Sequence, residues 1–132
     1  MPEKSRLNDI NEEFLKRGAG DVTEKNLNEV RDKSDEIRSK FESGGPLGRF
    51  IEDAKLFLSL IRDYMKGEYR RIPWWAISAV VFTLLYVFNP FDIVPDLLPV
   101  VGYVDDAAVF VLCLALVEQQ LREYKEWKTK LP

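Results

Sequence analysis

IPWWAISAVVFTLLYVFNPF, residues 72–91, is twenty residues without a charge. As a continuous helix it reaches roughly 30 Å, the thickness of a bilayer's hydrocarbon core. Asn89-Pro90 predicts a stop near Phe88, which shortens the helix to roughly 26 Å. Nine Ile, Val, Leu and Phe residues lie between positions 72 and 88. At central depth they favour insertion by at most about 4 kcal/mol. Such a helix either enters lipid or is buried on every side by protein. Arg70 and Arg71 precede it, and the paired Trp74 and Trp75 fit the aromatic belt of a membrane boundary, as does Trp127 further on.

Charge placement extends this reading. The 132 residues hold 19 Lys and Arg against 22 Asp and Glu, a net charge of −3. No Lys or Arg occurs from Ile72 to Leu121, where the only charges are Asp92, Asp96, Asp105, Asp106 and Glu118. A second apolar run, residues 107–117, spans only about 16 Å as a helix. Extending it backward brings in Asp105 and Asp106, which at mid-bilayer cost roughly 5–7 kcal/mol. Arg70 and Arg71 flank one end of the apolar region, and Lys125, Lys128 and Lys130 the other. Positive-inside bias therefore places both termini in the cytoplasm, with the apolar segments folded as a hairpin that spans the membrane or dips into it. Membrane lipid is the expected partner.

Between the two runs lies NPFDIVPDLLPVVGYVDD, residues 89–106. Asn89 with Pro90 reads as a helix cap and first turn, Asp96 and Asp105 as further caps, and Asp92 and Asp106 as first-turn carboxylates. Pro95 and Pro99 fit bends or early helical positions, and Gly102 a positive φ. The alternative is chemical. Asp92, Asp96, Asp105 and Asp106 supply hard oxygen ligands of the kind Ca²⁺ or Mg²⁺ takes, although no EF-hand spacing is present. A protonatable relay is a third use of the same carboxylates.

This stretch resembles the YkvA-like family, small bacterial proteins of unknown function. Its members share the pattern SP-x-D-x-x-PD-x-x-P-x-x-G-x-x-DD. Pro90, Asp92, Pro95, Asp96, Pro99, Gly102, Asp105 and Asp106 match it, and Asn89 stands where Ser is usual. The resemblance covers residues 68–117. It implies a membrane-associated helical pair and no established reaction, cofactor or ligand.

The chain before this core is polar. Leu7, Ile10 and Phe14 predict a short helix ended by Gly18 and Gly20. Asp21 with Glu24 predicts a capping box for a second helix, whose narrow stripe is Leu27, Val30, Ile37 and Phe41. That stripe suits packing within the chain or self-association with a protein partner. Ser-Gly-Gly-Pro-Leu-Gly, residues 43–48, predicts a hinge. The boundary drawn is therefore a polar helical region 1–45 and a hydrophobic domain 46–132. A helix over 47–65 has Phe50, Ile51, Ala54, Phe57, Ile61 and Tyr64 on its apolar stripe, and Lys55, Arg62 and Asp63 on the opposite face. The last helix turns Leu121, Tyr124 and Trp127 inward and Arg122, Lys125 and Lys128 outward.

Composition removes most enzyme classes. There is no His to serve as a base or metal ligand, and one cysteine, Cys113, which reads as a small core residue. A net acidic chain without a basic stripe argues against nucleic acid. The expectation is an all-α, non-enzymatic protein: a membrane-associated helical hairpin flanked by amphipathic helices, scaffolding or binding a partner. A cation-binding or ion-handling membrane protein and a soluble helical domain with a very apolar core are the alternatives.

Overall fold

A computed structural model describes residues 12–89 and 105–131. Pro90, Asp92, Pro95, Asp96, Pro99 and Gly102 lie outside the described residues, as do Leu7 and Ile10. The protein is all-α, with no strand among the described residues. In chain order the helices are α1 (12–20), α2 (Glu24–Asp32), α3 (Ser34–Glu42), a 3₁₀ turn (Gly45–Phe50), α4 (Ile51–Met65), α5 (Trp74–Phe88), α6 (Asp106–Leu116) and α7 (Glu118–Thr129).

α5 is the axis of the molecule. Every residue from Ala76 to Val87 is buried. Helices α2, α3, α4 and α6 pack around it, and α1 sets Phe14 against Phe82 and Tyr86, ring centroids 5.7 and 5.3 Å apart. The helix therefore has no polar face because it has no solvent face. Pro73 opens it in extended geometry, and the Asn89 N–H closes it on the Leu85 carbonyl at 2.8 Å. Its 15 residues span about 22 Å. No helix among the described residues is long and apolar enough to cross a membrane.

The helices preceding the acidic motif join the same core. Phe14, Leu15, Leu27, Val30, Ile37 and Phe41 are all buried, so the stripe a dimer seam would need is covered by this chain's own α4 and α5. Phe110 of α6 meets Phe41, Phe50 and Phe57 at 5.1–5.2 Å, tying α3, the 3₁₀ turn, α4 and α6 together. Aromatic pairs at such spacings add about 1 kcal/mol each beyond their buried area.

Several local expectations are corrected. Gly18 does not end α1; it lies inside it, where an added Cβ would sit 2.1 Å from the Phe82 ring. A close helix–ring approach, and not a turn, requires this glycine. The α2 cap is Thr23 and not Asp21: the Thr23 N–H donates to Asn26 Oδ1 at 2.9 Å. The single helix expected over residues 24–41 is broken at Lys33 into α2 and α3. Within 43–48 the backbone turns through Gly44 and Gly45, at φ +91° and +70°, angles open to glycine at little cost.

Candidate functional site

Asp105 and Asp106 are the described members of the acidic motif that open α6. Asp105 caps the helix, its Oδ1 accepting from the Ala107 N–H at 2.7 Å and the Ala108 N–H at 3.3 Å. These bonds satisfy two of the donors that a helix start leaves open. Asp106 follows with a buried Oδ1 that has no hydrogen-bond partner. Burial, reinforced by the Asp105 charge and opposed by Lys40, raises its carboxyl to about 6. Among the described residues no group of three or more Asp, Glu, Cys or His is placed to hold a metal ion.

Beyond Asp106, α6 is apolar all round. Val109, Phe110 and Cys113 face α5 and the phenylalanine cluster, whereas Val111 is 46% exposed. Cys113 is fully enclosed, its Sγ 3.6 Å from the Ala79 carbonyl. Burial pushes its thiol up to about 12, against a lowering contribution from Thr83. A thiol so placed is a packing group and not a nucleophile.

At the opposite end of α5 the residues chosen for a membrane boundary divide. Trp74 and Trp75 are 42% and 50% exposed. Arg70 stacks its guanidinium on Tyr64 at 4.2 Å, and Arg71 is exposed. Trp127 is partly buried instead, 4.9 Å from the Tyr69 ring and 5.9 Å from Tyr124.

One polar network escaped the sequence reading. Asp63, placed on the outer face of its helix by spacing, is only 5% exposed. The Tyr124 hydroxyl donates to its Oδ2 at 2.5 Å, Lys128 reaches the same oxygen at 3.2 Å, and Ser59 joins Tyr124 at 2.6 Å and also contacts Lys128. Burial pushes the Asp63 carboxyl up, but the Tyr124 and Lys128 hydrogen bonds, with the Lys128 and Arg62 charges, outweigh it and leave it below 3.8. For Lys128 burial acts downward, and the bonds to Tyr124 and Asp63 hold the ammonium above its usual value. A lysine held charged cannot take a proton from Ser59, so this pair is a clamp between α4 and α7 and not a nucleophile with its base. Its one legible signal is the i, i+4 spacing of Ser59–Asp63 and Tyr124–Lys128, which puts each pair on one helix face.

Residues 76–112 match a family described as "Protein of unknown function (DUF1232)". The chain is 32% identical over 78 residues to the "Uncharacterized membrane protein YkvA" of Bacillus subtilis (strain 168), an alignment covering 59% of this chain and 74% of that protein. No solved structure matches. The motif from Asn89 to Asp106, the helices on either side of it and the extent of this identity together place the chain in the YkvA-like family of uncharacterised proteins.

Proposed function

We propose that this protein is a non-enzymatic helical module that attaches to a membrane surface and presents its outer helices there as a scaffold for a partner. The observation that carries this is the end of the bundle where α4 leads into α5. Two of the chain's three tryptophans stand half in solvent there, separated by two residues from a pair of arginines. Indole rings with one edge wet and one face apolar sit well at the headgroup level, and arginine is drawn to anionic lipid. The B. subtilis relative's name as a membrane protein supports the same reading.

In this arrangement α5 keeps its protein neighbours and the hairpin with α6 stays within the bundle. Both flanks, with Arg70, Arg71, Lys125 and Lys130, then lie on one side, the cytoplasmic leaflet where anionic lipids collect. The acidic motif serves as a structured connection, with Asp105 already committed to two backbone donors.

Vesicle flotation tests this. The full chain is expected to float with phosphatidylcholine–phosphatidylglycerol vesicles, and alkaline carbonate is expected to release it. Trp74→Ser/Trp75→Ser should weaken partitioning by about tenfold, about 1.4 kcal/mol, with its melting temperature unchanged. Failure to float defeats the membrane reading. Retention through carbonate defeats surface attachment and favours a hairpin embedded in lipid.

A further inference from the structure

A cleft of about 380 Å³ lies between α2–α3 and α4, and neither Asp105, Asp106, Trp74 nor Trp75 lines it. Arg31 and Arg38 border it from one side, and Lys55 and Arg62 from the other. Lys55 and Arg62 are seven residues apart, two turns of α4, and so share one face of that helix, whereas Arg31 lies at the end of α2 and Arg38 in α3, on either side of the break at Lys33. Ser34 and Asp35 lie between Arg31 and Arg38, and Ser59 between Lys55 and Arg62. The apolar wall is Leu58, which is partly exposed, with the buried Val30 and Ile61 beneath the floor.

The lining holds four cations and one carboxylate, Asp35, while Asp32, Glu42, Glu52 and Asp63 reach those cations from outside the lining. The cations have partners, but weak ones. Arg31 pairs with Asp32 at 3.2 Å, Arg38 with Asp35 at 3.3 Å and Glu42 at 3.0 Å, and Lys55 with Glu52 at 3.6 Å. All of these carboxylates are at least half exposed, and exposed pairs of this kind contribute at most about 1 kcal/mol. An incoming dianion can replace them. Arg62 has its Nε 3.8 Å from Asp63 and donates to Ser59 at 3.4 Å, so the clamp beneath the cleft fixes where its side chain sits.

We propose that this cleft binds a phosphate group, held by Arg31, Arg38, Lys55 and Arg62 and carried by a small molecule whose apolar portion reaches Leu58. Three guanidiniums present forked donors that match phosphate oxygens in pairs, which a carboxylate ligand uses less fully. The volume falls in the range of small-ligand sites. The same chemistry is found in a phospholipid headgroup and in a free phosphate ester, and the site goes beyond the membrane-attachment reading without resting on it.

The test uses the full chain, with arginine Nε–Hε signals followed by NMR during titration with inorganic phosphate and with glycerol 3-phosphate. Saturating shifts at Arg31, Arg38 and Arg62 are expected. Arg38→Gln/Arg62→Gln should weaken the response at least tenfold, whereas Arg17→Gln/Lys25→Gln, the same charge loss outside the cleft, should not. Flotation on phosphatidylcholine vesicles with and without phosphatidic acid separates the sources. A tenfold loss specific to the cleft variant identifies the headgroup, and saturation by the soluble esters without that loss identifies a free ester. If neither phosphate titration nor vesicle binding distinguishes the cleft variant from its control, the site is overturned. A membrane interaction that then still depends on Trp74 and Trp75 leaves the surface-attachment reading standing.

Discussion

Helices α5 and α6 are both apolar on every side, yet the fold treats them differently. α5 is enclosed from Ala76 to Val87 by five other helices, whereas α6 buries only Val109, Phe110 and Cys113 and leaves Val111 nearly half exposed. Hydrophobic composition alone does not determine the surroundings of a helix. The central position of α5 follows from the apolar stripes of α1 to α4, each of which needs a surface to cover, and α5 is the one helix that can face all of them.

The sharpest way to break this comparison is to place one charge in each helix. Val81→Asp in α5 is expected to cost more than about 4 kcal/mol and to abolish cooperative folding, since an unpaired carboxylate would be buried. Val111→Asp in α6 is expected to cost less than about 1 kcal/mol, as for an exposed position. Urea unfolding of both variants checks this. Equal tolerance would show that α5 is not enclosed.

A smaller effect probes how closely α1 seals α5. Gly18→Ala drives a Cβ into the Phe82 ring and should destabilise by about 1–3 kcal/mol through overpacking. Gly20→Ala, with nothing within 4 Å, should be neutral or stabilising by up to about 1 kcal/mol. Phe82→Leu combined with Gly18→Ala should recover part of the loss, read as non-additivity in thermal melts.

The smallest effect is electrostatic and sets α6 against the α4–α7 clamp. Asp106 is raised from 3.8 to about 6, by burial first and then by Asp105. Between those values the unfolded chain releases its proton while the folded chain keeps it. Stability from this group therefore falls as pH rises from about 3.8 to 6 and is level above. Asp63 is lowered, so its contribution is complete above 3.8 and lost as pH falls below that. Asp106→Asn should accordingly raise stability at pH 7 by about 1–2 kcal/mol and flatten the slope between pH 4 and 6. Asp63→Asn should lower stability at pH 7, and urea midpoints at pH 4.5 and 7 check both.

Much of the helical plan is visible along the chain. The break at Asn89, the stripe Leu27–Val30–Ile37–Phe41 and the carboxylates at 105 and 106 all follow from spacing and turn chemistry. Asp63 is not visible in this way, because its burial depends on Tyr124 and Lys128, sixty-odd residues distant. The same holds for the cationic cleft. Arg31 with Arg38, and Lys55 with Arg62, read separately as solvated faces, and only the packing of α2 and α3 on α4 sets them opposite one another.

The amino-acid order by itself determined that the chain is helical, where its most apolar segment lies and that it carries the family's acidic motif, because periodicity, capping and proline act within a few residues. The tertiary structure alone decided what surrounds α5, why residue 18 is glycine and which charges meet. Those outcomes depend on which faces come together, and separation along the chain does not specify that.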